Sequence, residues 1–183
     1  MNAHPLPDIA VPVRRLVLII GPIASGKSTL ADTLADKLRS SGEAVAVVGL
    51  DTVAEMALPT LTDWSWAHEV HGQLVGAWLE KPIPTVIAEG PATPEEIEQI
   101  MRHVGPDVSV RKVLITARYE TALARVIQDP TRGLSKDPEF LQRMYRRFEQ
   151  TRPDIAHDVQ FDTEELSSSD IAERVIDGLP KLG

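Results

Sequence analysis

Leu16-Val17-Leu18-Ile19-Ile20-Gly21-Pro22-Ile23-Ala24-Ser25-Gly26-Lys27-Ser28-Thr29 decides the fold of this 183-residue chain. An unbroken apolar run leads into the full GxxxxGK[ST] pattern, and a helix-like sequence follows. The glycines let backbone N–H groups crowd around phosphates. A helix N-terminus adds positive dipole, Lys27 reaches the β- and γ-phosphates, and the Ser28 hydroxyl suits Mg²⁺. Gly21, Ala24, Ser25, Gly26, Lys27, Ser28 and Thr29 are therefore the predicted nucleotide cradle. The competing reading is a chance glycine-rich turn, and a strand before it with a helix after it argues against that. The pattern predicts that the chain binds a nucleoside triphosphate, ATP with Mg²⁺.

The rest of the chain alternates strand and helix patterns around this stretch. Leu16–Ile20 is apolar at every position, as in a parallel strand covered on both faces. Leu30, Leu34 and Leu38 stripe the next helix, with Gly42 as its stop. Ala44–Val48 reads as a second buried strand and Thr85–Ala88 as a third. One short and one longer helix are expected over Thr52–Lys81. Pro94 opens a helix, with Glu95 and Glu96 complementing its dipole. Val110–Thr116 is a fourth strand, and Tyr119–Ile127 a helix with Leu123, Val126 and Ile127 as core contacts. Pro138 opens a helix striped by Phe140, Leu141, Met144, Tyr145 and Phe148. Val159–Phe161 is a fifth strand, and Asp170–Gly178 a closing helix after a serine cap. The expected class is α/β: a three-layer sandwich with a five-stranded parallel sheet flanked by helices, plus a helical lid. Residues 1–13, with three prolines, read as a loose arm before one domain over 14–183.

Composition narrows the function. With 43% hydrophobic residues the chain can bury one good core, and no apolar run approaches the roughly 18 residues needed to span a bilayer. There are no cysteines, which excludes disulfides, zinc thiolates and thiol catalysis. The expected compartment is the cytoplasm, where ATP and Mg²⁺ are at hand. The net charge of −8 argues against a long nucleic-acid partner. Yet ten of the 19 Lys and Arg residues fall between Arg111 and Arg152.

Ligands in such sheets bind beyond the carboxyl ends of the strands, which selects Asp51, Glu89, Arg118 and the segment 128–138. Asp51 after the second strand suits a carboxylate that orients an acceptor hydroxyl and takes its proton; the alternative is a helix N-cap. Glu89, followed by Gly90, suits Mg²⁺ or an acceptor hydroxyl; the alternative is a solvated strand-end charge. Arg125 and Arg132 flank a Gly/Pro loop that reads as a lid, with guanidinium groups for the moving phosphoryl; the alternative is a basic surface loop. Arg143, Arg146 and Arg147 read as a solvated helix face. Trp64, Trp66, Trp78, His68 and His71 fall in the acceptor segment, 52–81, where aromatic rings can stack on a ligand; for Trp78 the reading is core packing.

With these residues in place, the chain resembles the P-loop kinase group of small hydroxyl kinases, and so the P-loop NTPase fold. Phage-type polynucleotide 5′-hydroxyl kinases share the cradle, the Asp, and a lid similar to Arg125…Arg132-Gly133…Phe140-Leu141…Met144-Tyr145. Zeta-toxin kinases share an Asp like Asp51 and a Glu-Gly like Glu89-Gly90. Chloramphenicol phosphotransferases and shikimate kinases share the general layout. The resemblance implies that Lys27, Asp51, Glu89 and Arg132 are catalytic, that Ser28 and Glu89 hold the metal, and that Arg125 contacts nucleotide. Phage-type kinases carry a further Arg after the Asp and shikimate kinases pair it with arginines, whereas Thr52–Leu61 here has none. The expected activity is ATP-dependent phosphorylation of a hydroxyl on a small molecule such as an antibiotic, nucleoside or sugar, with no membrane partner. The alternatives are a 5′-hydroxyl polynucleotide kinase and a nucleotide-hydrolysing switch.

Overall fold

The computed structural model describes residues 13–59, 61, 63–130 and 133–182. All of the expected 1–13 arm except Val13 lies outside the described residues, as does Arg132. The elements run β1 (Arg14–Ile20), α1 (Lys27–Ser40), β2 (Val45–Gly49), α2 (Leu50–Glu55), α3 (Ser65–Leu79), β3 (Thr85–Glu89), α4 (Pro94–Met101), β4 (Val108–Thr116), α5 (Tyr119–Gln128), α6 (Pro138–Thr151), β5 (Val159–Asp162) and α7 (Ser168–Asp177). The five strands form one sheet in the order β2-β3-β1-β4-β5, every pair parallel.

Alternation along β1 divides the core between two faces. Val17 and Ile19 point to the layer where Leu30, Leu34 and Leu38 of α1 meet Ile171, Ala172 and Val175 of α7. Leu16, Leu18 and Ile20 point to the opposite layer, built from Val75 and Leu79 of α3, Ile97 and Ile100 of α4, and Phe148 of α6. The expected layers and parallel sheet are thus those of the molecule. Local signals place the helix ends. Gly42 takes φ +89 just beyond the end of α1, Thr93 caps α4 ahead of Pro94, Asp137 caps α6 ahead of Pro138, and Ser167 caps α7. Among the described residues no helix is long and apolar enough to cross a membrane.

Three expectations are corrected. β2 is an edge strand, not one buried on both sides; Val45, Val47 and Gly49 are only partly covered. Ile127 is 60% exposed, because Val126 takes the core position and the next helical step swings outward. Trp78 is 41% exposed, because the inward stripe of α3 runs through Ala67, His71, Val75 and Leu79.

At the far edge of the sheet from the cradle, Arg15 is a buried hub. Its Nε donates to Thr85 Oγ1 at 2.9 Å, its Nη1 to the Pro180 carbonyl at 2.7 Å, and its Nη2 pairs with Glu43.

Candidate active site

The cradle begins where β1 ends. Gly21 is obligatory on packing grounds: a Cβ there would lie 2.4 Å from the Ile115 carbonyl and 2.9 Å from Ser25 Oγ. Gly26 takes φ +101 and Ala24 φ +57, so the backbone doubles back before α1 starts at Lys27. No side chain caps that helix start, which leaves its positive end for a ligand. Lys27 Nζ donates to the Gly21 and Pro22 carbonyls, both at 2.9 Å, curling over the mouth of the loop.

The outer side of the loop is held by side chains from distant elements. Tyr145 OH on α6 donates to the Ile23 carbonyl at 3.0 Å. Arg125 Nη1 on α5 donates to the Ala24 carbonyl at 3.0 Å. Thr163 Oγ1, just after β5, donates to the Ser25 carbonyl at 2.9 Å and accepts from Arg125 Nη1 at 3.2 Å. Three successive carbonyls are thereby drawn outward. Because a peptide unit is planar and trans, the amides that follow them turn to the other side. Burial raises the Tyr145 phenol pKa above its ordinary value, so this donor keeps its proton. Neither Thr163 nor Tyr145 was singled out for the cradle from sequence. The position of Thr163 at a strand's carboxyl end was the signal available.

The sheet order brings the other expected residues alongside. β3 lies next to β1, so Glu89 ends beside the cradle and is only 6% exposed. Ser28 Oγ donates to Glu89 Oε1 at 3.1 Å. The same carboxylate lies against Gly49, where an added Cβ would be 2.9 Å from Oε1. A solvated strand-end charge therefore does not describe Glu89. Two residues beyond Gly49, Asp51 stands exposed in the first turn of α2. Gly49 holds the N-cap position of that helix, so the cap alternative for Asp51 does not hold. Gly90, at φ +135, packs against Leu50, and the Pro91 carbonyl accepts from the Gly21 N–H at 3.1 Å. The β3–α4 turn thus touches both the cradle and the start of α2.

The acceptor segment packs around α2. Trp64 and Trp66, half-buried, lie against Leu50, Ala54 and Ala67. Trp66 Nε1 is a buried donor with no partner among the described residues. His71 is buried, its Nε2 3.0 Å from the Val48 carbonyl at the end of β2. Desolvation pulls its pKa below the ordinary histidine value, against the upward pull of the Val48 and Glu89 backbone. His68 Nε2 lies 3.7 Å from Glu96 Oε1. Arg118 points away to pair with Glu164, whose carboxyl is held down to about 2 chiefly by that hydrogen bond and by Thr121. Arg143, Arg146 and Arg147 are exposed on α6, as their sequence positions imply.

The residues present fit a nucleoside triphosphate with a divalent cation. Ser25 Oγ is fully buried with no hydrogen-bond partner among the described residues, inside a loop whose shape a Cβ at Gly21 would destroy. A hydroxyl beside a carboxylate, as at Ser28 and Glu89, is the hard oxygen set that Mg²⁺ favours.

A family model described as an AAA domain matches residues 16–151, three quarters of the chain. No curated protein matches the chain in sequence. Solved structures share its fold. APS kinase CysC of Mycobacterium tuberculosis, solved with AMPPNP and APS, has a TM-score of 0.63 at 15% identity, over 91% of this chain and 98% of that one. Shikimate kinase of Acinetobacter baumannii, solved with shikimate, has 0.60 at 17%, over 90% and 92%. The tunicamycin resistance protein of Deinococcus radiodurans has 0.58 at 17%, over 93% and 99%. The cradle, the all-parallel sheet and the matched residues lead to one assignment: the chain belongs to this AAA-domain family, with the fold of the P-loop kinases.

Proposed function

We propose that the chain is an ATP-dependent phosphotransferase that moves the γ-phosphate to a hydroxyl of a small molecule. The observation that carries this reading is the 3.1 Å contact between Ser28 and Glu89, with Gly49 against the same carboxylate. It joins the cradle to the two strand ends that would receive an acceptor. Lys27 and the loop hold the triphosphate, and Arg125 sits against the cradle's outer wall. Ser28 and Glu89 hold Mg²⁺, which when bound neutralises charge on the phosphate oxygens. Asp51 orients the acceptor hydroxyl. As the new O–P bond forms and the bond to the β-phosphate oxygen breaks, the hydroxyl proton passes to the Asp51 carboxylate. Arg132, assigned from its place in the lid sequence, balances charge on the moving phosphoryl.

The test is Asp51→Asn. This variant should bind AMPPNP like the parent while turnover falls about 10²–10⁴-fold, the range of a lost general base. Unchanged turnover would remove Asp51 from the mechanism. The structural neighbours solved with APS and with shikimate support the reaction class.

A further inference from the structure

We infer that Glu96 is a positioning residue, and that the turn Gly90-Pro91-Ala92 joins the nucleotide cradle to the acceptor segment through it. The inference rests on nucleotide occupying the cradle, as the phosphotransferase reading requires, and adds how the two halves of the site are held in step. Thr93-Pro94-Glu95-Glu96 has the spacing of a capping box, in which the glutamate bonds back to the N–H of the cap residue itself. Thr93 keeps its half, accepting from the Glu96 N–H at 3.3 Å. The Glu96 carboxylate reaches one residue past the cap, and its Oε2 accepts from the Ala92 N–H at 2.7 Å. That N–H belongs to the same peptide unit as the Pro91 carbonyl, which accepts from the Gly21 N–H at 3.1 Å. A trans peptide points its C=O and its N–H in opposite directions. One rigid plane therefore spans the distance from the first glycine of the cradle to the Glu96 carboxylate.

The other oxygen of Glu96 faces α3. Its Oε1 lies 3.7 Å from His68 Nε2, and both side chains are mostly covered. α3 returns from the end of β2 to the start of β3, so its first turns stand at the carboxyl edge of the sheet. His71 marks the level: its Nε2 lies 3.0 Å from the carbonyl of Val48, one residue before the end of β2. His68 is three residues nearer the start of the helix, about 4.5 Å further along its axis. That puts it beyond the strand ends, where ligands of such sheets bind. The His68 N–H donates to the Trp64 carbonyl at 3.1 Å, which ties the start of α3 to the same pair. The turn meets α2 as well, for Gly90 packs against Leu50. Lys27 supplies the drive. It donates to the Gly21 carbonyl, and phosphate oxygens that draw its ammonium away release the residue that holds Pro91. The turn, Glu96, His68 and the start of α3 then shift together.

The three tryptophans of the chain stand at 64, 66 and 78, so their emission reads the acceptor segment directly. Every protein in the test carries Trp78→Phe, which removes the signal from the exposed residue near the far end of α3. AMPPNP with Mg²⁺ is titrated by calorimetry and by tryptophan fluorescence in parallel. Binding to the parent should shift the emission of Trp64 and Trp66. In Glu96→Ala the shift should be largely lost at an AMPPNP affinity within about twofold of the parent, a change smaller than one hydrogen bond is worth. His68→Ala should lose the shift in the same way, and carries the test if Glu96→Ala does not fold. The double variant should lose no more than either single one, as for two residues acting in series. Thr93→Ala removes the cap of α4 and keeps the Glu96 carboxylate; it should lower stability and leave the shift. An undiminished shift in Glu96→Ala or His68→Ala, an equal loss in Thr93→Ala, or calorimetric binding with no shift in the parent would each overturn the inference and leave the phosphotransferase reading intact. No binding by calorimetry would overturn both.

Discussion

Replacing Gly90 with alanine tests how the β3–α4 turn sets the position of Asp51. Gly90 takes φ +135, a conformation that side chains rarely adopt, and an added Cβ would lie 2.3 Å from Leu50 Cβ and 3.2 Å from its Cδ2. Forcing an alanine into that backbone region costs about 1–3 kcal/mol. Carbon atoms settle at about 3.5 Å or more, so Leu50 must retreat by about 1.2 Å, and overpacking of this kind costs a further 1–3 kcal/mol. The sum, about 2–6 kcal/mol, is a large part of the 5–15 kcal/mol typical of a domain. Leu50 precedes Asp51 at the start of α2, and a displacement of about 1 Å in a reacting group costs about a hundredfold in rate. Gly42→Ala is the control. It also has positive φ, +89, but its added Cβ meets nothing within 4 Å, so only the backbone term of about 1–2 kcal/mol remains. Urea unfolding of both variants separates strain from clash, and steady-state turnover of Gly90→Ala reads the displacement of Asp51. Equal destabilisation of the two variants, or parental turnover in Gly90→Ala, would refute the reasoning.

Two further outcomes concern residues that hold the site from behind. Tyr145→Phe removes only the hydroxyl bonded to the Ile23 carbonyl; AMPPNP affinity should fall about three- to tenfold and stability by about 1 kcal/mol, whereas a stability loss at unchanged affinity would show that Tyr145 does not shape the cradle. His71 is buried with a pKa below the ordinary 6.5, so the unfolded chain takes up its proton first. The stability of the neutral form is complete above pH 6.5 and is lost as the pH falls through that value toward the folded pKa. Urea midpoints measured at pH 8, 6.5 and 5.5 should drop along that series, and the drop should shrink in His71→Gln; equal slopes in the two proteins would exclude His71 as its source.

What the sequence disclosed is what local physics encodes. The apolar run, the glycines and the cap residues Thr93, Asp137 and Ser167 each act within a few residues, so strand ends and helix starts could be read directly. From the strand ends came Asp51 and Glu89, which the sheet order then places on neighbouring strands. The misreadings have a common cause. Nearly every turn of α3 is apolar, so nothing local separates its buried stripe from the face that carries Trp78, and Ile127 sits one helical step past the last core position. β2 reads like an interior strand because its alternate valines still meet helices. The roles of Thr163 and Tyr145 at the cradle are not legible in the sequence because their partners there lie 138 and 122 residues away. No window on the sequence spans such a pair.

Those long separations bear on how the protein is made. The glycine-rich motif ends at Thr29 and leaves the ribosome early. Its outer carbonyls wait for Arg125, then Tyr145, then Thr163, and the last of these follows the final strand. Chain synthesis proceeds at about 5–20 residues per second, so the nascent protein carries the motif for several seconds before the side chains that hold its outer wall exist. The cradle belongs to the folding of the whole sheet, and nucleotide would reward only chains that have closed it.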